Sequence, residues 1–496
     1  MYSKSKNVEK FLDISRHIEK IYKGVWANVE FAFLRMTEFS DELRVVIEET
    51  VANIASLITT DILNKSVDIG DVVGTTQENV NRLGLTIIQT ICKKMDDTYA
   101  QNRPKGIHIR NKSKTRTILT SMGELRLTRR LYGDVKTGKR YFAVDELLNI
   151  PKYTRVEPTF QADLMQKAAK SSFGAVSRSI NEKLSRQTIY NIVKKNAASV
   201  PSPATDLNEQ EEPKKKLAHV YIEADEDHIH LQDGNVSEMR LVYVHEGRKK
   251  ENGRTRLKNP KYFVSGSKDE EKIWEDVSAY IHNQYEMRST TVHLSGDGAQ
   301  WIARGKDYFP FFHCRFHLDK FHVVKSITTA CGGNQEERRR IFQAIKDRRL
   351  SELRRIYDKM VKNRPYSRRS IRDSYTYLSK HLLEISFDKG NLCSAEGHVS
   401  HVLSARLSAR PCGWSRAGAE RIAKLRAFLY NEGDFSRLVP ARTNKIIQAP
   451  PKKRYNVLNN NKHEIDMGYP MQGSICIQYR EIFRRLFAFK DSFYLK

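Results

Sequence analysis

Residues 217–232 read LAHVYIEADEDHIHLQ, and their reading decides the fold. Apolar residues (Val220, Ile222, Ile229) are interleaved with the acids Glu223, Asp225 and Asp227. A period of two is that of a β-strand, so the three acids share one face. Carboxylates within an apolar strand are costly unless they are paired or bind a cation. Downstream, LVYVHEG (241–247) predicts a second strand and Tyr262–Ser265 a third. The segment from Lys272 to Tyr285 carries Ile273, Val277 and Ile281 in helical step. STTVHLSGDGAQWI (289–302) predicts a strand that ends on Asp297 between Gly296 and Gly298. Strand pairs, a helix and then a buried strand closed by a carboxylate make a mixed α/β core, assigned to 217–332. The C-terminal ends of strands are where such sheets place their sites.

Beyond the core, EERRRIFQAIKDRRLSELRRIYDKMVK (336–362) is strongly helical and basic, and 333–390 reads as a helical insertion. A helix then opens at Glu396 and runs through HVSHVLSARLSA, giving a last core segment over 391–436. Glu396 leads the apolar stripe of that helix, seven residues before Leu403. Residues 437–496 form a basic tail without a legible architecture.

Upstream, 201–216 is rich in Pro, Ala and charge and predicts a linker. Before it, FGAVSRSINEKLSRQTIYNIVKKN (173–196) splits near Lys183-Leu184 into two short helices, within a 158–200 module. Ser185 is a good N-cap for the second helix, which offers Arg186, Gln187, Thr188, Tyr190, Asn191, Lys194 and Lys195 while Ile189, Ile192 and Val193 pack behind. This is helix-turn-helix logic, in which the second helix reads base edges; a simple helical hairpin is the alternative. IHIRNKSKTRTILTSMGELRLTRRLYGD (107–134) predicts a basic β-hairpin turning at Met122-Gly123, within a 105–157 module. It would either lie on DNA phosphates or present a solvated face. Residues 1–100 read as a helical N-terminal region.

Lys and Arg total 86 against 59 Asp and Glu among 496 residues, a formal net charge of +27. Such an excess attracts polyanions, with nucleic acid foremost; solubility or an anionic membrane surface is the alternative. No run approaches the ~20 apolar residues of a membrane span. MYSKSKNVEK lacks a secretory h-region, and six cysteines are too few for a disulfide framework. A protein of the reducing cytoplasm is expected.

In a chain so basic, isolated acids at strand ends and helix starts suit phosphodiester chemistry. Two divalent ions about 4 Å apart neutralise the phosphate and activate an oxygen nucleophile. Mg²⁺ takes a few carboxylates plus water and phosphate oxygens. Asp225 or its neighbours, Asp297 and Glu396 fit that need, although each could equally be a cap or a solvated acid. In HCRFHLDKFH (313–322), His313, Cys314, His317 and His322 make only half a zinc site, so a Cys and a His packed behind the active site are expected instead. Trp414 in RPCGWS would stack on a base or pack in its turn. His398 and His401 would touch the scissile region or be satisfied within their helix.

The ordered set IEADEDHIHLQ, LSGDGAQWI, HCRFHLDKFH and AEGHVSHVLSARLSARPCGWS resembles the bacterial insertion-sequence transposases of the ISLre type, distant relatives of the Mutator-like transposases. The resemblance spans roughly 107–430. It implies a DDE transposase with an RNase H-like catalytic core and a helical insertion, preceded by helical, β-hairpin and helix-turn-helix DNA-binding modules. It makes Asp225, rather than Asp227, the first acid, Asp297 the second and Glu396 the third, together holding two Mg²⁺ or Mn²⁺ ions, with Cys314 and His317 supporting the site. It further implies double-stranded DNA partners (the terminal inverted repeats of an element and a target), and a homodimer or larger assembly. Two rivals remain: an RNase H-like nuclease or resolvase that cuts without joining, and a non-catalytic helix-turn-helix DNA-binding protein.

Overall fold

The computed structural model describes residues 40–63, 68–205, 213–266, 269–286, 288–386, 393–410 and 412–439. The predicted tail over 437–496 and the start of the N-terminal helical region lie mostly or partly outside these residues.

Helices α1 (Ser40–Leu63) and α2 (Ile69–Asn102) open the described chain. Asp68 caps α2 through a capping box, its carboxylate accepting from the Asp71 N–H at 2.9 Å. The predicted hairpin is β1 (Ile107–Thr120) paired antiparallel with β2 (Gly123–Asp134), turning at Ser121-Met122. A short β3 (Arg140–Phe142) joins β2, and α3 (Ala143–Leu147) follows. The far half of β1, with Arg110, Lys112 and Lys114, is exposed. Three helices come next: α4 (Pro158–Lys170), α5 (Phe173–Ser179) and α6 (Arg186–Asn196). The turn between α5 and α6 falls where the sequence places it.

The main sheet contains β4 (His219–His230), β5 (Val236–His245), β8 (Lys261–Gly266), β9 (Thr291–Gly296) and β10 (His313–Leu318) in the order β10-β9-β4-β5-β8. β4, β5 and β8 are antiparallel neighbours, whereas β9 and β10 run parallel to β4. Between β5 and β8, the sequence reading had no place for a basic hairpin, β6 (Arg248–Glu251) and β7 (Arg254–Leu257). Its strands are short and mostly charged, so they carry no apolar alternation.

Parity on β4 builds both layers. Val220, Ile222 and Ala224 pack with Val242, Val244, Phe263, Val292 and Leu294 beneath α7 (Glu270–Gln284), which contributes Ile273, Trp274, Val277 and Ile281. The indole N–H of the fully buried Trp274 donates to the Trp301 carbonyl at 3.0 Å, in the short α8 (Gln300–Arg304). Each such aliphatic side chain contributes about 1.5–3 kcal/mol on burial. The opposite face carries the acids and packs on the helices of the N-terminal and C-terminal segments.

After β10 come α9 (Lys320–Cys331), α10 (Gln335–Lys346), α11 (Leu350–Asn363) and α12 (Arg368–Lys380), which share their own core around Val323, Ile341, Leu353 and Ile371. The basic stretch read as helical over 333–390 is α10–α12, and α9, which the sequence reading left with the sheet, joins their core. The chain then enters α13 (Ala395–Val399), continues through a π turn (Ser400–Ser404) to Leu407, and reaches α14 (Arg416–Tyr430) and a final 3-10 turn (Phe435–Leu438). The sequence reading made the Glu396 helix uniform; the π turn reorients it so that Val402, Leu403 and Leu407 reach the core.

The stretch 201–216 does not isolate α4–α6 from the sheet. Phe160, Leu164, Ile189 and Val193 belong to the same hydrophobic cluster as Leu241, Tyr243, Leu403 and Phe428. Lys215 is itself fixed, its N–H donating to the Gln284 carbonyl at 2.7 Å. Among the described residues no helix is long and apolar enough to cross a membrane.

Candidate metal centre

Glu223, Asp225 and Asp227 do share a face of β4, yet each has a different environment. Glu223 is an anchor. Its buried carboxylate accepts from Nε2 of His245 at 3.0 Å, from Arg248 at 2.5 Å, from the Tyr243 hydroxyl, and from the Ser394 N–H (2.6 Å) and Oγ (3.0 Å). Burial alone would raise its pKa, but the bonds from His245 and Tyr243 and the charge of Arg248 hold it down at about 2. Glu223 thereby ties the central strand to Ser394, the residue that leads into α13. Asp227 is occupied by the Ser408 hydroxyl, 2.9 Å from both carboxylate oxygens.

Asp225 is 9% exposed, and one oxygen accepts from the Glu226 N–H at 2.8 Å. Its pKa is pushed up to about 7, first by burial and then by the negative charges of Asp297, Glu396 and Glu226. A buried acid surrounded by acids favours a cation in place of a proton.

Asp297 follows β9 directly. Its Oδ1 accepts from the Ala299 N–H at 2.8 Å, and its backbone carbonyl accepts the Tyr377 hydroxyl of α12 at 2.7 Å. The flanking glycines have geometric reasons. A Cβ on Gly296 would sit 2.7 Å from Ile302, and Gly298 has φ +93° with Leu318 and His381 close by.

Glu396 stands in the first turn of α13 with its side chain 64% exposed. It therefore rims the core and does not face into it as the stripe suggested. His322, in the first turn of α9, brings Nε2 to 4.0 Å from a Glu396 oxygen and 4.0 Å from Asp319. Asp319 is buried and caps α9, accepting from the Phe321 N–H at 3.0 Å. Asp225, His322 and Glu396 each present one ligand atom, all within 4.8 Å of one another. Two carboxylates and an imidazole at that spacing suit a divalent ion such as Mn²⁺ or Mg²⁺, with Asp297 adding negative charge.

His322 is the residue that sequence reasoning misplaced. It was grouped with Cys314 and His317 because of their spacing, and β10 separates them by parity. Cys314 faces the apolar layer under α7, where burial raises its thiol pKa to about 11. His317 points the other way and pairs with Nδ1 of His293 at 3.0 Å, and His293 in turn with His219 at 3.1 Å. Cys314 thus lies on the apolar side of the sheet, and β10 runs on from His317 to Asp319.

On α6, Ser185 caps the helix, accepting from the Thr188 N–H at 3.2 Å. Arg186, Gln187, Asn191, Lys194 and Lys195 are exposed, whereas Thr188 is held by Ser185 and Tyr190 packs edge-on against Phe173. Trp414 is packed. Its indole N–H donates to the Leu407 carbonyl at 2.9 Å and the Arg406 guanidinium lies over one face of the ring, 4.8 Å from its centre. His398 is likewise packed, bonded to Tyr262 and stacked near Tyr243, with burial pressing its pKa down to about 4. His401 is exposed.

The sequence profile of UPF0236, described as an uncharacterised protein family, matches residues 62–441, and the chain belongs to this family. A UPF0236 protein of Caldanaerobacter subterraneus subsp. tengcongensis is 33% identical over 383 residues, covering 75% of this chain and 81% of the relative. A further relative from the same organism is 32% identical over 383 residues, covering 75% of this chain and 80% of its own, and its name joins eleven locus designations. A "UPF0236 protein in vanSb 3'region" of Streptococcus gallolyticus is 28% identical over 233 residues, covering 44% of this chain and 50% of its own. No solved structure matches the chain.

Proposed function

We propose that this UPF0236 protein is a metal-dependent DNA transposase of the DDE type, with an RNase H-like core of the kind the ISLre elements encode. The observation that carries the reading is the convergence of Asp225, His322 and Glu396 within 4.8 Å, with Asp297 close enough to raise the pKa of Asp225. A mixed sheet with an acid midway along its central strand and another just past the end of a parallel neighbour supports it. So does the relative named for eleven loci in one genome, since one product encoded many times over is what a self-copying element leaves behind.

Asp225, His322 and Glu396 would hold the first divalent ion, and Asp297 would share the second with Asp225. Bound ions would supply charge neutralisation at the phosphate and a lowered pKa for the attacking water or 3′ hydroxyl. The chain's own part is placement. Glu223 fixes Ser394 and hence the start of α13, and the Gly-Asp-Gly turn fixes Asp297. The exposed side chains of α6 hold the element end, with affinity that falls as salt rises. Hydrolysis frees a 3′ hydroxyl, which attacks target DNA at the same centre, so no protein nucleophile is required.

The test is incubation of the full-length protein with Mn²⁺ and DNA from both flanks of its coding sequence, beside Asp297→Ala. Wild type should nick the ends and yield joined products, and the variant neither. Nicks without joined products would recast the protein as a nuclease. Indifference of every activity to Asp225→Ala, Asp297→Ala and Glu396→Ala would leave a DNA-binding protein only.

A further inference from the structure

A groove of about 1380 Å³ runs between the β1–β3 sheet and the start of α6. One wall carries Lys139, Arg140, Lys152, Tyr153 and Arg155, and the other Lys183 with Ser185 and Thr188. Its acids are already matched: Asp145 by Arg116 and Arg129, Glu146 by Lys139 and Glu124 by Arg126. Arg140, Lys152, Arg155 and Lys183 have no acidic partner among the described residues, so four cations remain along one channel. The N-terminal end of α6 adds its dipole on the same side.

The Tyr153 turn has no structural need for an aromatic. Thr154 N–H donates to the Pro151 carbonyl at 3.2 Å, closing a four-residue turn. Tyr153, its third residue, has φ +64°, where such turns take glycine or asparagine. A bulky side chain there is strained, and this one is 83% exposed. The turn is held rigid from behind. Arg116 donates to the carbonyls of Pro151 (2.9 Å) and Thr154 and to Asp145 (3.0 Å). The Lys152 ammonium lies 5.1 Å from the Tyr153 ring centre. A buttressed, strained turn thus displays an aromatic ring among unpaired cations.

We propose that this groove takes one strand of DNA next to the element end. Phosphates would lie on Arg140, Lys152, Arg155 and Lys183, and an unpaired base would stack on Tyr153. Stacking on an exposed ring reads no sequence but tells an unpaired base from a paired one. The inference rests on the DNA-processing reading above and adds the class of DNA bound: a duplex with a frayed or single-stranded terminus.

The experiment measures binding of the full-length protein to a blunt duplex and to the same duplex with a single-stranded tail bearing a fluorescent adenine analogue. Tyr153→Gly relieves the backbone strain, so its melting temperature should stay level or rise. It should bind the tailed DNA roughly tenfold more weakly and lose the stacking-induced quenching. Blunt-duplex affinity should hardly move, and Tyr153→Phe should behave as wild type. The double variant Arg155→Ala, Lys183→Ala should lower the salt dependence of binding by about two phosphate contacts. Unchanged tail affinity and quenching in Tyr153→Gly, or an unchanged salt slope in the double variant, overturns the proposal while leaving the transposase reading intact. A wild-type protein that binds neither DNA overturns both.

Discussion

Replacing Asp225 with asparagine should stabilise the metal-free protein. The buried carboxyl has a pKa near 7 in the fold, against 3.8 for an ordinary aspartate. Between those values the unfolded chain is ionised and the folded one still holds its proton, so rising pH favours unfolding. At 1.36 kcal/mol per unit, the cost is about 1.6 kcal/mol at pH 5 and about 4 kcal/mol above pH 7. Below pH 4 it vanishes. Asparagine carries no charge and keeps an oxygen for the Glu226 N–H, so Asp225→Asn removes the cost without opening a cavity. Thermal unfolding in EDTA should therefore show the variant above wild type at pH 8, with the gap narrowing towards pH 5. Mn²⁺ should reverse the order by binding the folded wild type. A variant no more stable than wild type at pH 8 would refute the burial argument, and one that gains as much from Mn²⁺ would refute the metal assignment.

Two further outcomes follow from the neighbours of Asp225. Glu223 has the opposite sign: its folded pKa of about 2 lies below the ordinary 4.5, so its contribution of about 3 kcal/mol is full above pH 4.5 and lost as pH falls towards 2. Glu223→Gln should remove that acid-dependent loss of stability and, by setting an amide N–H against the donors Arg248 and His245 and so loosening the hold on Ser394, lower DNA cleavage in Mn²⁺; a variant with wild-type acid denaturation and cleavage contradicts the anchoring role. His322→Ala should raise the half-saturating Mn²⁺ concentration roughly tenfold or more and that for Mg²⁺ by less, because imidazole is the softer donor. Equal shifts for the two metals, read by thermal stabilisation, count against His322 as a ligand.

Much of this arrangement was legible in the sequence because it rests on period and punctuation. The alternation in 219–227 placed three acids on one face, and the glycines around Asp297 marked the tight turn after β9. The α5–α6 break and the cap at Ser185 were equally local signals. The misreadings all involve relations that spacing does not encode. Cys314 and His317 sit three apart, a spacing shared by zinc ligands, yet on a strand an odd separation sends them to opposite faces. Glu223 looked like a third candidate ligand. Its role as an anchor depends on Tyr243, His245, Arg248 and Ser394, up to 171 residues away in sequence. Hairpin β6–β7 escaped because its short, charged strands bury almost nothing.

The same distinction explains why one of two neighbouring acids became the metal-site candidate. Asp225 and Asp227 differ by one strand repeat, carry the same chemistry and are both largely buried. What separates them is the π turn after Glu396. It carries the chain to Ser408, whose hydroxyl occupies both oxygens of Asp227. The bonds from Ser394 to Glu223 hold the other end of the same segment. The segment from Ser394 to Ser408 is therefore pinned at two acids and arches over the third, leaving Asp225 with Glu396 and His322 beside it. Fixing the outer pair of carboxylates is how the fold keeps the middle one available for a cation.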